Sequence, residues 1–391
     1  MQKIFYMKSK RTLYILALGI FGIGTTEFGV IGILPQLAHA FNVSIEKAGW
    51  LLSGFALAVA ISGPFMMMLL SSFKRKGLMA FVLGIFALSN LLSIIAPNFG
   101  FLLAARILPA FFHPVYWAVA LSSAANIVSE KEAPKAVSIV FGGFTIASIL
   151  GIPIATLMAD VFNWQSSFIL YAAINIISFV GILLFLPDIP MPDKKKRNSN
   201  LSIFKSKILW INLFVACFIV AAMYATYGYM ADYLGKVNKM NGKEISVLLF
   251  IFGVTGIFGN QLAGKFLSKN IYTTTLLFIL SLVLVHILLY NLGTQFISIA
   301  VMMGVWGLVH SGGFLISNIN VTSSAPESRE FINSVFTSCG NIAVTLGTGI
   351  GGFWITHFGI HQIVWSSILC LLISFLILIL KKVQMVKSQR I

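Results

Sequence analysis

Charged side chains are scarce in this sequence. Only 10% of the 391 residues are Asp, Glu, Lys or Arg, and 58% are hydrophobic, whereas a soluble domain carries about 25% charged residues. Too few polar groups are present to cover the surface of a globule in water. The composition therefore excludes a soluble protein and indicates a chain surrounded by the lipid bilayer.

Cysteine clusters, histidine clusters and phosphate-binding loops are also missing. Cys217, Cys339 and Cys370 all lie in apolar stretches without a C-x-x-C pair, so neither a disulfide framework nor a zinc site is supported. The sequence has no P-loop, so any transport would draw on an ion gradient rather than on ATP. We expect no cofactor and no metal.

The short connections argue against an enzyme. A membrane transferase needs a catalytic constellation in its loops, and stretches such as 97–100 and 293–295 are too short to build one. A receptor or scaffold would be expected to carry an added soluble domain or a long tail. Both classes remain rivals, and a transporter fits the sequence better.

Long apolar segments are what the sequence does contain. A membrane-spanning helix needs roughly 20 mostly apolar residues. Twelve such segments follow one another, at approximately 13–34, 46–73, 77–96, 101–128, 136–161, 165–187, 208–231, 244–267, 272–291, 296–322, 332–357 and 362–380. The sequence therefore predicts an all-α integral membrane protein with twelve transmembrane helices, some of them tilted or kinked.

The longest polar connection divides the spans into two sets of six. It runs from Pro187 to Lys207 and is rich in proline, lysine and arginine. Two equal sets of spans are the outline of a two-bundle transporter. We expect an N-terminal six-helix bundle at 1–187, a cytoplasmic linker at 188–207 and a C-terminal six-helix bundle at 208–391.

Basic residues lie mostly on one side of the predicted spans. If the N-terminus is inside, most of the 27 Lys and Arg residues flank the inner ends, and only Lys47, Lys236, Lys239 and Lys243 flank the outer ends. The positive-inside rule then places both termini and the linker in the cytoplasm. We expect the protein in the inner or plasma membrane. The net charge of +16 reflects this topology and does not indicate a nucleic-acid partner.

Small residues four apart recur in four spans. Such ladders let helices approach closely in lipid. They are Gly54, Ala58 and Ser62 in span two; Ala147, Gly151, Ala155 and Ala159 in span five; Thr255, Gly259 and Ala263 in span eight; and Ala343, Gly347 and Gly351 in span eleven. Spans two and five correspond to eight and eleven in a six-span repeat, although such ladders are frequent in any membrane protein.

Glu27 is the most unusual residue of the chain. It stands alone in residues 12–34, which are otherwise nearly free of charge, and a carboxylate at that depth costs at least ~2.5 kcal/mol. Arg106 and His113, two turns apart in span four, are the other deep ionisable residues of the N-terminal half. We predict that Glu27, Arg106 and His113 form a proton-coupling cluster. The structural alternative is a static Glu27–Arg106 pair that holds spans one and four together.

The C-terminal half is expected to contain no comparable carboxylate, but it offers aromatic and neutral polar groups. Cavities for organic ligands are mostly apolar with a few placed polar groups. The predicted substrate-binding residues are Tyr224, Tyr227, Asn260, Trp306, His310 and Asn341. The alternative for the tyrosines is anchoring at the membrane interface, and for the asparagines it is hydrogen bonding between helices.

Five short motifs occur in a recognisable order. They are residues 21–28 (FGIGTTEF); Arg106 followed by His113; Gly151-Ile152-Pro153 with Thr156, Trp164 and Phe168; Gly259-Asn260 with Gly264-Lys265; and Asn341, Gly347 and Gly351-Gly352. Together they resemble the major facilitator superfamily, and within it the twelve-span drug:proton antiporters of the arabinose-efflux-permease-like and sugar-efflux-like branch.

The resemblance implies a secondary transporter that exchanges protons for small amphipathic organic compounds, such as drugs, and exports them. Efflux of sugars or purine nucleosides by the same mechanism is the alternative. The implied partners are a small-molecule substrate, protons and the lipid bilayer. Twelve spans are sufficient for a monomer to function.

The sequence also departs from the family pattern. The loop between spans two and three lacks the usual Asp, and Ser268 and Lys269 stand where the family has Asp and Arg after span eight. The resemblance therefore does not extend to an inner gate latched by an Asp–Arg pair. In span four Pro109 replaces the usual Gln, and with Pro114 it predicts a bend near the centre of the span.

Overall fold

The computed structural model describes residues 2–70, 73–128, 133–187, 204–324 and 329–388. Within these ranges all regular structure is helical and no strand is present, which confirms the predicted all-α membrane fold. The helices are α1 Gln2–Phe28, α2 Leu34–Ala40, α3 Ile45–Ala48, α4 Trp50–Leu70, α5 Arg75–Ile94, α6 Phe99–Ala110, α7 His113–Asn126, α8 Ala133–Ile146, α9 Ile152–Val161, α10 Trp164–Phe185, α11 Lys207–Tyr227, α12 Met230–Lys236, α13 Gly242–Leu267, α14 Ile271–Tyr290, α15 Phe296–His310, α16 Gly313–Thr322, α17 Arg329–Phe358 and α18 Val364–Ser388.

Eleven helical segments among the described residues are long and apolar enough to cross a membrane. Each coincides with one of the twelve predicted spans. The predicted eleventh span is helix α17, whose 30 residues exceed the length that a bilayer requires. Its many Gly, Ser, Thr and Asn residues keep it less apolar than the other eleven.

Several spans consist of two helices in succession. Span four breaks between α6 and α7, where Pro109 and Pro114 remove backbone donors; the break lies in the part of the span where the sequence predicts a bend. Span one ends as an α-helix at Phe28 and continues as the 3₁₀ turn Gly29–Ile33. Spans seven and ten break after α11 and after α15. Interrupted helices of this kind often line transport sites, because their ends expose polar backbone groups.

The interruptions coincide with predicted functional residues. Glu27 is the penultimate residue of α1, and His113 is the first residue of α7. Tyr227 ends α11 and His310 ends α15. The helix breaks therefore give these four side chains positions at helix ends, where neighbouring backbone groups lack partners within the helix.

The chain forms two compact units. The first comprises Met1–Val43 and Ile61–Lys196, and the second comprises Ser44–Ala60 and Arg197–Ile391. The first part of span two thus groups with the second unit. The predicted boundaries at 187 and 208 stay a prediction, and residues 188–203 of the predicted linker lie outside the described residues.

Two contacts explain why Ser44–Ala60 belongs to the second unit. A Cβ atom on Gly49 would lie 2.2 Å from the hydroxyl oxygen of Tyr229, so the tyrosine fits only because Gly49 has no side chain. Glu46 accepts a hydrogen bond from the hydroxyl of Thr356 in α17. Both contacts join residues that are far apart in sequence.

Close helix approaches confirm two of the predicted small-residue ladders as contact faces. A Cβ on Gly347 of α17 would lie 2.3 Å from the carbonyl oxygen of Ala221 in α11. A Cβ on Gly259 of α13 would lie 1.9 Å from the carbonyl oxygen of Leu308 in α15. Real Cβ atoms cannot approach so closely, so these helices touch along their glycines.

Candidate functional site

A buried acid–base pair lies in the first unit. Glu27 is 6% exposed, and its Oε2 is 3.1 Å from Nε2 of His113. The end of α1 contributes the carboxylate, and the start of α7 contributes the imidazole. The structure therefore brings together two of the three residues that the sequence predicted as a proton-coupling cluster.

Arg106 joins the same site through the main chain. Its Nη2 donates to the carbonyl oxygen of Thr26 at 2.9 Å and lies 3.4 Å from that of Glu27. These carbonyls stand where α1 gives way to the 3₁₀ turn, so the guanidinium satisfies acceptors at a helix end. The arginine is buried, and its position differs from a simple carboxylate–guanidinium pair, because its hydrogen bonds to this segment go to the backbone.

A hydrogen-bond network behind the pair involves residues that were not predicted from sequence. Asn90 of α5 and Asn175 of α10 both donate to the Thr26 hydroxyl, at 3.1 and 3.0 Å. The Thr26 hydroxyl in turn donates to the carbonyl of Gly22 at 2.9 Å. Both asparagines are fully buried. Their position in the middle of apolar runs is the sequence feature that could have identified them. The network fixes the residue that precedes Glu27 against spans three and six.

Tyr171 of α10 completes the surroundings of this site. Its ring is buried, with Phe168 5.7 Å away between ring centroids. A Cβ on Gly29 would lie 2.2 Å from the Tyr171 hydroxyl oxygen, so the glycine that follows α1 makes room for this side chain. The Cζ atom of Arg106 lies 5.9 Å from the Phe168 ring. Tyr171 was not predicted from sequence to have a role.

A cluster of rings lies in the second unit. We call it the ring cluster; its members are Tyr224, Tyr227, Phe252, His286, Trp306, His310 and Phe314. Tyr227 stacks on Phe252 with centroids 4.7 Å apart and planes 18° apart. It also lies 5.2 Å from His310 and 6.2 Å from Trp306. Four of the six predicted substrate-binding residues therefore meet in one place.

Trp306 is the centre of the ring cluster. Its ring lies 5.4 Å from Phe252, 5.9 Å from His310 and 5.4 Å from His286. His286 of α14 was not predicted from sequence, because a single histidine in an apolar helix does not reveal which neighbour it contacts. Its Nδ1 lies 2.7 Å from the carbonyl oxygen of Leu282.

The remaining two predicted residues lie apart from the ring cluster. Asn260 of α13 is exposed. Asn341 of α17 is half-buried and donates to the carbonyl of Thr337 in its own helix at 3.0 Å. Within the described part of the chain, no ring contact or hydrogen bond connects either amide to the ring cluster. The hydrogen bond of Asn341 also runs within one helix rather than between two.

Asp232 corrects the expectation that the C-terminal half has no comparable buried carboxylate. It is 2% exposed, and its Oδ1 lies 3.0 Å from Nζ of Lys236. Asp and Lys four residues apart commonly form a pair on the solvated face of a helix. The structure instead buries the acid and leaves its lysine partner largely exposed.

These features define a class of protein: a multi-pass, all-helical membrane transporter with polar clusters inside its helical units. The sequence model of the Major Facilitator Superfamily matches residues 16–348, and the chain belongs to this family.

Several bacterial proteins are similar to it along most of their length. The chain is 31% identical over 346 residues to the inner membrane transport protein YdhP of Escherichia coli (strain K12), covering 88% of this chain and 89% of that protein. It is 30% identical over 375 residues to the uncharacterized MFS-type transporter YbcL of Bacillus subtilis (strain 168), covering 95% of both. It is 26% identical over 347 residues to a probable sugar efflux transporter of Pasteurella multocida (strain Pm70), covering 89% and 86%.

Solved structures show the same fold at lower identity. The nucleoside transporter NupG matches with a TM-score of 0.74 and 14% identity, over 95% of this chain and 97% of that chain. A bacterial homologue of the human lysosomal transporter Spinster, in an inward-facing and unoccupied conformation, matches with a TM-score of 0.76 and 16% identity, over 95% and 96%. Family and fold together make the chain a membrane transporter that acts on small molecules.

Proposed function

We propose that this chain is a proton-coupled secondary transporter that exports small amphipathic organic compounds, such as drugs, across the cell membrane. One observation carries the proposal: the Glu27 carboxylate lies 3.1 Å from the His113 imidazole, inside a span that is otherwise nearly free of charge. Ionisable groups inside membrane spans are expensive to bury and are usually functional.

The acid–base pair can change its charge without a large movement. With the carboxylate ionised and the imidazole protonated, the pair is neutral overall. One further proton gives a neutral acid beside an imidazolium, and loss of one proton leaves a carboxylate beside a neutral ring. An antiporter needs a site of this kind, because its affinity for substrate must depend on protonation.

Arg106 contributes a fixed positive charge to the same site. Its hydrogen bonds to the carbonyls of Thr26 and Glu27 hold the guanidinium at the end of α1. The charge offsets that of the carboxylate when the pair has released its proton. We therefore assign Glu27 and His113 to proton transfer and Arg106 to positioning and charge compensation.

The ring cluster of the second unit is the proposed substrate site. Tyr224, Tyr227, Trp306 and His310 provide large apolar faces with polar edges, the surface that suits amphipathic ligands. Asn260 and Asn341 stay predicted substrate-binding residues, although they lie apart from the ring cluster. We further propose that both termini are cytoplasmic, that the protein lies in the inner or plasma membrane, and that it functions as a monomer without enzymatic activity.

The cargo has a second candidate. A relative that is 26% identical is named a probable sugar efflux transporter, and a structural neighbour is a nucleoside transporter. Efflux of sugars or purine nucleosides would use the same proton-coupling pair. The flat rings of the second unit favour an aromatic or amphipathic cargo over a sugar, because stacking requires a planar partner.

Transport into proteoliposomes with an imposed pH gradient tests the proposal. Fluorescent drugs, labelled sugars and labelled nucleosides are offered in parallel, and accumulation is compared with and without the gradient. We expect gradient-driven accumulation of at least one drug by the unaltered protein and none by Glu27→Gln. Exchange of substrate between two sides at equal pH should survive, because it needs no net proton movement.

Glu244→Gln is the matched control. Glu244 lies in the first turn of α13, where it accepts a hydrogen bond from the backbone of Asn241, so its loss removes a carboxylate without touching the acid–base pair. Gradient-driven accumulation by Glu27→Gln equal to that of Glu244→Gln would eliminate the proposed role of Glu27.

A further inference from the structure

Three ring nitrogens at the centre of the ring cluster are buried without a hydrogen-bond partner among the described residues. They are Nε1 of Trp306, Nδ1 of His310 and Nε2 of His286. Burial of a polar nitrogen without a partner is costly, and native cores contain few such groups. Three of them on Trp306 and on two rings that contact it indicate a site that binds polar atoms of a ligand.

The hydrogen-bonding role of His286 follows from its neighbour. Its Nδ1 lies 2.7 Å from the carbonyl oxygen of Leu282, and a carbonyl can only accept a hydrogen bond. Nδ1 must therefore carry the hydrogen, which leaves Nε2 of the neutral ring as an acceptor. This acceptor belongs to a ring that contacts Trp306 at 5.4 Å between centroids.

Trp306 supplies the complementary group. Its indole nitrogen is a donor only, so adjacent rings offer one donor and one acceptor. His310, which also contacts Trp306, can offer either a donor or an acceptor through Nδ1. A ligand that satisfies Trp306 and His286 together must itself carry an acceptor next to a donor.

The walls of the cluster set the shape of that ligand. Tyr227 and Phe252 are stacked 18° from parallel, whereas Trp306 meets Phe252 at 81°. Flat rings fit among such faces and edges. Tyr227 and His310 keep 7% and 5% exposure, whereas Trp306 and His286 keep none, so a ligand would approach from the side of Tyr227 and His310.

We propose that His286, Trp306 and His310 form a polar subsite within the ring cluster, and that it binds a planar heteroaromatic compound with an N–H donor next to a carbonyl or ring-nitrogen acceptor. The assignment rests on the proposed substrate site and narrows it to one chemical class. His286 becomes a specificity-determining residue, because it recognises the N–H of the ligand.

A pair of ligands that differ by one hydrogen-bond donor tests the subsite. Quinolin-2-one carries an N–H beside its carbonyl, and 1-methylquinolin-2-one carries a methyl group in its place. Binding of both to the full-length protein in lipid nanodiscs is measured by isothermal titration calorimetry. We expect the unaltered protein to prefer quinolin-2-one by at least about tenfold, because a site built around a hydrogen bond rejects the analogue that lacks it.

Single-residue variants then locate the preference. His286→Phe removes the acceptor and keeps a ring, so this variant should bind the two ligands with about equal affinity. Trp306→Phe removes the donor to the carbonyl that both ligands carry, so it should weaken both by a similar factor and leave the preference near that of the unaltered protein. His357→Phe is the matched control, because His357 is exposed and stacks on Phe353; it should keep the full preference.

Equal binding of the two quinolones by the unaltered protein, or binding of neither, would overturn the assignment. So would a full preference in His286→Phe. If that variant does not fold, Trp306→Phe decides alone, since unchanged affinity of this variant for both quinolones contradicts the subsite. Glu27→Gln should retain the preference, so a failure of proton coupling and a failure of the subsite give different results.

Discussion

At the scale of single residues, the proposed mechanism depends on a few polar groups that are buried among apolar ones. Glu27 could be selected from sequence, because a lone carboxylate in an apolar span is visible by inspection. The hydrogen bonds from Arg106 to the end of α1 could not be predicted. They depend on where that helix stops, and the sequence alone does not fix the last helical residue.

His286 and Asp232 were missed for a related reason. The proposed role of His286 depends on its contact with Trp306, which lies on another helix. Asp232 has a lysine one turn later, and this spacing usually marks a solvated pair. Burial of a side chain depends on contacts between distant helices, which residue spacing within one helix does not encode.

His113→Gln provides a test at this scale. Glutamine keeps a polar side chain but cannot take up a proton, so Glu27 is left as the one proton acceptor of the pair. We expect gradient-driven accumulation to fall by about a hundredfold or more, in the range typical of a lost acid–base group, while exchange at equal pH stays near that of the unaltered protein. Uptake into proteoliposomes under both conditions measures this.

His39→Gln is the control for that variant. His39 lies near the end of α2 and is exposed, so the same substitution there should leave coupling intact. If His113→Gln behaved like His39→Gln under the pH gradient, the imidazole of His113 would have no part in coupling.

At the scale of helices, more of the structure could be predicted from the sequence than at the scale of single residues. Apolar length predicted the spans, and the prolines of span four predicted a bend in the region where the structure breaks the helix between α6 and α7. The breaks after α11 and α15 contain no proline and were not predicted. They occur beside Gly228 and Gly312, and glycine alone is too common in membrane helices to mark a break.

Two glycines of one helix offer a matched test of helix packing. A Cβ on Gly347 would lie 2.3 Å from the Ala221 carbonyl, whereas a Cβ on Gly349 would have no neighbour within 4 Å. We expect Gly347→Ala to lower the thermal unfolding temperature, because α11 and α17 must separate. Gly349→Ala should leave it unchanged or raise it, because alanine favours a helix by about 1 kcal/mol over glycine.

Unfolding of both variants in the same detergent, followed by thiol-reactive dye or by circular dichroism, compares them directly. An equal response of the two variants would mean that the contact between α11 and α17 is looser than the structure indicates.

At the scale of the whole molecule, composition alone identified a membrane protein, and the order of short motifs identified its family, which the match over residues 16–348 establishes. The grouping of Ser44–Ala60 with the second unit was not foreseen. Sequence order assigns this stretch to the first six spans, and contacts such as that of Gly49 with Tyr229 assign it to the second unit.

Transport is also a property of the whole molecule, and proton movement is its most direct readout. Vesicles that contain the purified protein and an internal pH-sensitive dye report whether substrate added to one side moves protons in the opposite direction. The measurement requires no imposed pH gradient. Accumulation of a pH-sensitive cargo in response to such a gradient therefore cannot be mistaken for proton-coupled transport.

Substrate-driven pH change in these vesicles, recorded for the unaltered protein and for Glu27→Gln, is therefore the decisive measurement. For the unaltered protein we predict that substrate entering the vesicles drives protons out and raises the internal pH. For the variant we predict substrate exchange without a change of internal pH. Substrate flux that leaves the internal pH constant in the unaltered protein, or a pH change that persists in Glu27→Gln, would contradict the proposed coupling.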